Sequence, residues 1–296
     1  MNCLECGNPV HWYCSTCWGG NDSAAIVWVI DGNWVCRLLW HRSLEDADVS
    51  LREWCDHVKS HKPASVIVAL DSAWSWRKHL SLEYKAQRKP SNDGFYEWLV
   101  KATSYMQTLG WRCCSLHGFE GDDLIASLVT QNPNRSVIVS GDQDLMQFLQ
   151  TGKTSIYRKR KGGWQFITAT QFEEQFGFPV ERYLDYKLLV GDSSDNLTGC
   201  HKIGPKTAQR MLEDRSLDEI MQNVDDYPRS EELREFANRL PILRTLMTCV
   251  THLPVIGDFD GKREHDSTDR EPDSETGDQN HQWWYKHRDG GDRSES

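Results

Sequence analysis

"SVIVSGDQDLMQFL", Ser136 to Leu149, begins as an unbroken apolar run and turns abruptly to carboxylates. A continuous β-branched run without alternation marks a strand covered on both faces, as in a parallel sheet. Two other stretches share the design: "AAIVWVID", Ala24 to Asp31, and "SVIVALD", Ser65 to Asp71. Each of the three ends on an aspartate, at Asp31, Asp71 and Asp142. Between them come a helical pattern in "SLREWCDHV", a long helical stretch, a short strand in "WRCCSL" and a helix in "DDLIASLV". This alternation predicts an α/β fold built on a parallel sheet. Open parallel sheets hold their ligands outside the carboxyl ends of the strands, so the three aspartates should gather at one edge.

Further carboxylates join them: Glu120, Asp122 and Asp123 in "FEGDDLIASLV", Asp144 in "GDQDLMQFL", and Asp192 and Asp195 in "GDSSDN", which brings the set to nine. Any one of them is explained as a helix cap. Capping does not explain acids repeated at strand ends, and clustered carboxylates repel one another unless cations neutralise them. Ligation by oxygen alone selects hard ions, Mg²⁺ or Mn²⁺, over zinc.

"GCHKIGPKT", Gly199 to Thr207, comes within one residue of the phosphate loop G-x-x-x-x-G-K-[ST]. A phosphate loop leaves a buried strand and enters a helix; here a helical pattern at Tyr183, Leu184, Leu188 and Leu189 runs to Gly191 and then into two aspartates, Asp192 and Asp195. Carboxylates repel a nucleotide, and Pro205 removes an amide that the cradle needs. A nucleotide-hydrolysing loop is therefore the weaker reading.

The chain has 296 residues with 38% apolar content, enough for a sizeable core in one large or two medium domains. Its longest apolar run, Ala24 to Ile30, is too short to span a bilayer, and neither a basic region nor a signal core opens the chain. The expected address is the cytoplasm, where cysteines serve as thiols or metal ligands. Cys3, Cys6, Cys14 and Cys17 form C-x2-C-x7-C-x2-C, the paired knuckles of a tetrahedral structural Zn²⁺, with His11 as an alternative ligand. The net charge of −10 is unevenly spread: residues 258–296 hold 12 acidic and 6 basic residues, leaving 32 and 28 elsewhere. That tail is polar and predicted to be disordered, with "WWYKHR" at Trp283 to Arg288 read as a docking peptide for a replication partner. A basic cluster, Arg158 to Lys161, is expected on a hairpin, touching duplex or simply solvated.

"VIDGNW", "VALDSAWSWRKHLSLEYKAQRKP", "GFEGDDLIASL", "VSGDQDLMQFL" and "LVGDSSDNLTGCHKIGPKTAQRML" stand in an order that resembles the 5'-to-3' exonuclease and flap endonuclease superfamily, over roughly residues 24–253. Cysteine spacing marks a zinc-ribbon-like head at 1–22, outside the family core, and composition marks the acidic tail at 257–296; between them the resemblance implies a PIN-like nuclease domain with a helical arch at 23–178 and a helical DNA-binding domain at 179–256. Gly121 replaces the usual alanine of the family's acidic motif, and Arg37 stands one residue out of register for an arginine that the family often carries.

By the same resemblance, Asp31, Asp71, Glu120 and Asp122 would surround one metal with Asp123 nearby, and Asp142, Asp144, Asp192 and Asp195 would serve a second. Two metals of this kind activate water and stabilise both oxygens at phosphorus. Arg77, Ser81, Lys85 and Arg88 recur at helical spacing; Lys85 and Arg88 would act on the scissile phosphate, Arg77 would bind DNA and Tyr84 would stack on a terminal base. "KIGPKTAQRML" would be a helix-three-turn-helix in which Gly199, Gly204, Lys206 and Thr207 meet duplex phosphates without reading sequence, with K⁺ as an added ion. The implied substrate is DNA with 5' ends, flaps or nicks, or an RNA-DNA hybrid. A DNA-structure-binding protein with an inactive centre is the alternative, which the complete acidic set disfavours.

Overall fold

The computed structural model describes residues 26–42, 46–88 and 94–254. The cysteine-rich head and the acidic tail, and with them the zinc and docking-peptide expectations, lie outside the described residues.

The first element is β1 (Ile26–Asp31), followed by α1 (Gly32–Arg42), α2 (Ala47–Ser60) and β2 (Ser65–Ala69). After β2 come α3 (Trp76–Leu80), α4 (Phe95–Thr108), β3 (Arg112–Cys114), α5 (Gly121–Gln131) and β4 (Arg135–Val139). A hairpin, β5 (Thr154–Arg160) and β6 (Gly163–Ile167), completes a six-stranded sheet of order β3-β2-β1-β4-β5-β6. All pairings are parallel except β5 with β6. The basic cluster does sit on this hairpin, with Lys159, Arg160 and Lys161 exposed.

Successive side chains of a strand face opposite ways, and β1 shows it: Trp28 and Ile30 enter one apolar core with α1, α2 and α4, while Val29 enters the other with α5. Gly32 is required where β1 turns into α1, because a Cβ there would lie 2.6 Å from Leu70 and 2.9 Å from the Ala69 carbonyl. That close approach draws the C-terminal ends of β1 and β2 together.

A run of helices follows: α6 (Ala169–Phe176), α7 (Tyr183–Val190), α8 (Pro205–Leu212), α9 (Leu217–Gln222), α10 (Ser230–Ala237) and α11 (Leu240–Met247). A two-residue hairpin, β7 (Gly191–Asp192) with β8 (Leu197–Thr198), separates α7 from α8. Leu188, Leu212, Leu233 and Leu246 belong to the same apolar core as Val29 and Leu124, so the helical region packs onto the sheet through one continuous core. The segment read at helical spacing is not one helix. Only α3 is helical; Ser81 is extended, residues 82–87 are turns, and Lys85 takes a left-handed φ of 54°.

Candidate active site at the carboxyl edge of the sheet

The ends of β1, β2 and β4 and the start of α5 bring carboxylates to one edge. Asp31 closes β1, where it accepts the Trp34 amide at 2.9 Å and the Ser140 hydroxyl at 2.6 Å. Asp71, just past β2, accepts the Gly121 amide that begins α5 at 2.7 Å, and its own amide donates to Asn33 Oδ1 at 3.0 Å. Asp142 accepts the amide of Asp144 at 2.9 Å, and its own amide donates to the Ser140 hydroxyl at the same distance. Ser140 thereby ties the β1 and β4 acids together. Trp34 lies against this loop: a Cβ on Gly141 would fall 2.1 Å from the indole, so only glycine fits there.

The electrostatics follow from this shared edge. Burial pushes the Asp31 carboxyl up to about 7, against the hydrogen bonds from Ser140 and Trp34, and Asp71 and Asp142 push it further. Asp122 is held well above the ordinary carboxylate range, first by burial and then by repulsion from Asp142, Asp31 and Asp71. Asp71, though surface-exposed as a residue, is raised by the desolvation of its crowded carboxyl and by Glu120, against the Gly121 amide, Lys85 and Arg88. Four acids with little counter-charge of their own form the heart of the site.

The remaining acids are divided among basic side chains. Glu120 accepts Lys85 Nζ at 2.9 Å and the Tyr84 hydroxyl at 2.8 Å; these partners and Arg77 outweigh burial and lower its pKa. Asp195 pairs with Arg88 at 2.8 Å and stands 3.8 Å from Lys85. Lys187, on α7, reaches Asp144 at 2.6 Å and also pairs with Asp192. Asp192 further accepts the amide and hydroxyl of Ser194, each at 2.7 Å. Gln87 and Arg88 bind the carbonyls of Ser193 and Ser194, and Asn196 binds that of Glu83, which laces residues 83–88 onto the turn between β7 and β8. Among the described residues no three acids, imidazoles or thiols stand together as a ready metal cage.

Four sequence expectations are corrected. Arg77 is 3% exposed and meets no surface: its guanidinium clasps Asp123 at 2.6 and 2.7 Å and reaches the carbonyls of Leu246 and Thr248. Asp123, wholly buried and also bonded to the Val250 amide, is accordingly a core ion-pair partner rather than a metal ligand. Tyr84 is 3% exposed with its hydroxyl on Glu120, leaving no ring face for a base. Gly199 serves close packing instead of phosphate contact, since a Cβ there would lie 2.3 Å from the Leu189 carbonyl. Gly204 and Lys206, by contrast, are exposed at the start of α8, and Thr207 is half-buried beside them. Arg37 lies over the Phe95 ring at 3.4 Å.

Sequence reasoning missed Lys187, Ser140, Ser194 and Arg158, whose guanidinium donates to the Gly141 carbonyl at 3.0 Å. Only Lys187 carried a signal, one turn before Gly191 on a helix leading into acids.

Two family models match the chain, one described as the 5'-3' exonuclease N-terminal resolvase-like domain over residues 49–177 and one as its C-terminal SAM fold over residues 178–269. The chain belongs to the 5'-3' exonuclease family. Similar to it are the DNA polymerase I of Caldicellulosiruptor bescii, 34% identical over 209 residues that make up 67% of this chain and 25% of that one, and the thermostable DNA polymerase I of Thermus thermophilus, 32% identical over 67% and 24%. The chain thus spans about a quarter of the length of these relatives. Among solved structures, T5 5'-exonuclease with bound zinc ions matches with a TM-score of 0.64 at 20% identity, covering 75% of this chain and 88% of that one. A bacteriophage T5 flap endonuclease in a pseudo-enzyme-product complex with DNA and metal ions matches with a TM-score of 0.65 at 20% identity, covering 77% and 89%. These likenesses establish a shared fold: a mostly parallel sheet with a helical region behind it.

Proposed function

We propose that this 5'-3' exonuclease family member is a divalent-metal-dependent 5' nuclease that hydrolyses phosphodiesters of DNA ends, nicks or flaps by recognising shape rather than sequence. The observation that carries the reading is the placement of Asp31, Asp71, Asp122 and Asp142 at one sheet edge, tied together through Ser140 and the Gly121 amide, where the acids raise the pKa of Asp31 and Asp122 and cations would favour the charged forms. The all-oxygen donor set fits Mg²⁺ or Mn²⁺. Asp31, Asp71 and Asp122 would hold one ion with Glu120, and Asp142, Asp144, Asp192 and Asp195 would serve a second. Such ions supply an activated water and stabilise the charge that builds on phosphate.

The chain's own residues do the rest. Lys85 and Arg88 sit at the mouth of the acids, with Arg88 exposed; against its burial, Glu120 and Asp195 hold Lys85 above its ordinary pKa, so its ammonium stays charged toward a phosphate. Their carboxylate partners, Glu120 and Asp195, are among the residues that would hold a metal, which would leave the Lys85 ammonium and the Arg88 guanidinium to face the scissile phosphate. Gly204, Lys206 and Thr207 at the head of α8 would grip a duplex phosphate at a distance from the cut, with K⁺ as an accessory ion. A structural zinc on the four N-terminal cysteines completes the reading, with no part in hydrolysis.

Digestion of 5'-labelled flap, nicked and blunt duplexes with and without Mg²⁺ tests this. The expected result is Mg²⁺-dependent release of 5' products at rates that depend on substrate shape and not on base sequence. Products formed equally in EDTA, or cut sites fixed by sequence, would overturn it.

A further inference from the structure

Trp74 stands 43% exposed three residues beyond Asp71, a large ring left in water beside the acidic edge. It is held in place. Its amide donates to Ser72 Oγ at 3.2 Å, and the same hydroxyl accepts the Gly118 amide at 3.2 Å. The indole stacks on the His117 imidazole with centroids 5.7 Å apart and 11° between planes. Beneath it Gly118 takes a φ of +88°, and a Cβ there would press on the ring at 3.0 Å, so the loop is shaped around the indole.

Both loops that build this platform also carry carboxylates of the site. Asp71 precedes Trp74 on one, Glu120 follows Gly118 on the other, and the two are joined by the Ser72 amide on the Phe119 carbonyl at 3.2 Å and the Gly121 amide on Asp71 at 2.7 Å. Leu80 and Leu82, 44% and 90% exposed, extend apolar surface along the same segment. Tyr84, the aromatic that spacing nominated for base stacking, is buried against Glu120. Aromatic faces next to a phosphate site bind unpaired bases without regard to identity, because every base offers a π-face.

We infer, resting on the nuclease reading above, that Trp74 backed by His117 is the base-stacking surface of this chain and takes an unpaired nucleotide of the DNA strand whose phosphate reaches the carboxylates. The test is equilibrium binding of fluorescein-labelled 5'-flap duplexes in EDTA, where the DNA stays uncut, with the flap made either of thymidines or of abasic tetrahydrofuran residues. Trp74→Ala raises Kd for the thymidine flap roughly tenfold and leaves the abasic flap within about twofold of wild type, while Trp74→Phe, which keeps a ring, stays close to wild type on both. A Trp74→Ala protein that binds the thymidine flap as wild type does, or that loses the same factor on both flaps, overturns the inference. Failure of the wild-type chain to bind flap DNA at all would instead defeat the nuclease reading.

Discussion

Arg77 shows how a charge legible in the sequence can belong to the core. With 3% exposure and two short bonds to a fully buried Asp123, it closes α3 onto the start of α5 and the end of α11. Removing one partner of such a pair leaves an uncompensated buried charge. Arg77→Met is therefore expected to lower unfolding free energy by about 3–5 kcal/mol, read as a shift in urea midpoint. An unchanged midpoint with weakened DNA binding would instead return Arg77 to the surface role that its spacing suggested. Spacing misled because Asp123 and Thr248, which draw Arg77 inward, lie 46 and 171 residues away along the chain. Asp31, Asp71 and Asp142 were legible for the opposite reason: a strand end is fixed by its own local pattern.

At the scale of elements, two basic features divide the work on one substrate. The turns of residues 82–87 hold Lys85 against Glu120 and Asp195, whereas α8 presents Lys206 to solvent. A charge felt most strongly in the transition state affects rate more than affinity, so Lys85→Ala should lower the single-turnover rate of flap cleavage by 10²-fold or more with a smaller effect on Kd. Lys206→Ala should weaken binding equally for every sequence and flatten the salt dependence by about one unit, with saturated cleavage near normal. Equal slowing by both substitutions would contradict the division. The expected arch is not helical over residues 81–88, because the left-handed Lys85 and its amide bond to the Asp195 carbonyl replace helical geometry with contacts to a distant turn.

Across the whole molecule, the parallel sheet and the one-edge gathering of acids followed from buried runs leading to aspartate, whereas the order of the strands did not, and the continuous core explains why the helical region stands firmly behind them. The far face of the sheet was less legible. There His61, 4% exposed, lies among Trp28, Tyr157, Phe166 and His57, and burial with His57 beside it lowers its pKa to about 4. The unfolded chain binds this proton near its ordinary value of 6.5, so His61 makes its full contribution to stability above that pH and loses it as pH falls toward 4. Denaturation between pH 7 and 4.5 should show a loss that His61→Phe reduces by roughly 2–3 kcal/mol; parallel pH profiles for the two proteins would refute it.

The central claim, that the β4 acids hold metal for hydrolysis and do not hold DNA, rests on Asp142 and Asp144 together. The decisive measurement is Mg²⁺-dependent flap cleavage and branched-DNA binding by the Asp142→Asn/Asp144→Asn protein beside wild type. Cleavage falling to background while branched-DNA affinity stays within a few-fold of wild type is the predicted result. Retained Mg²⁺-dependent cleavage in the double variant would contradict it.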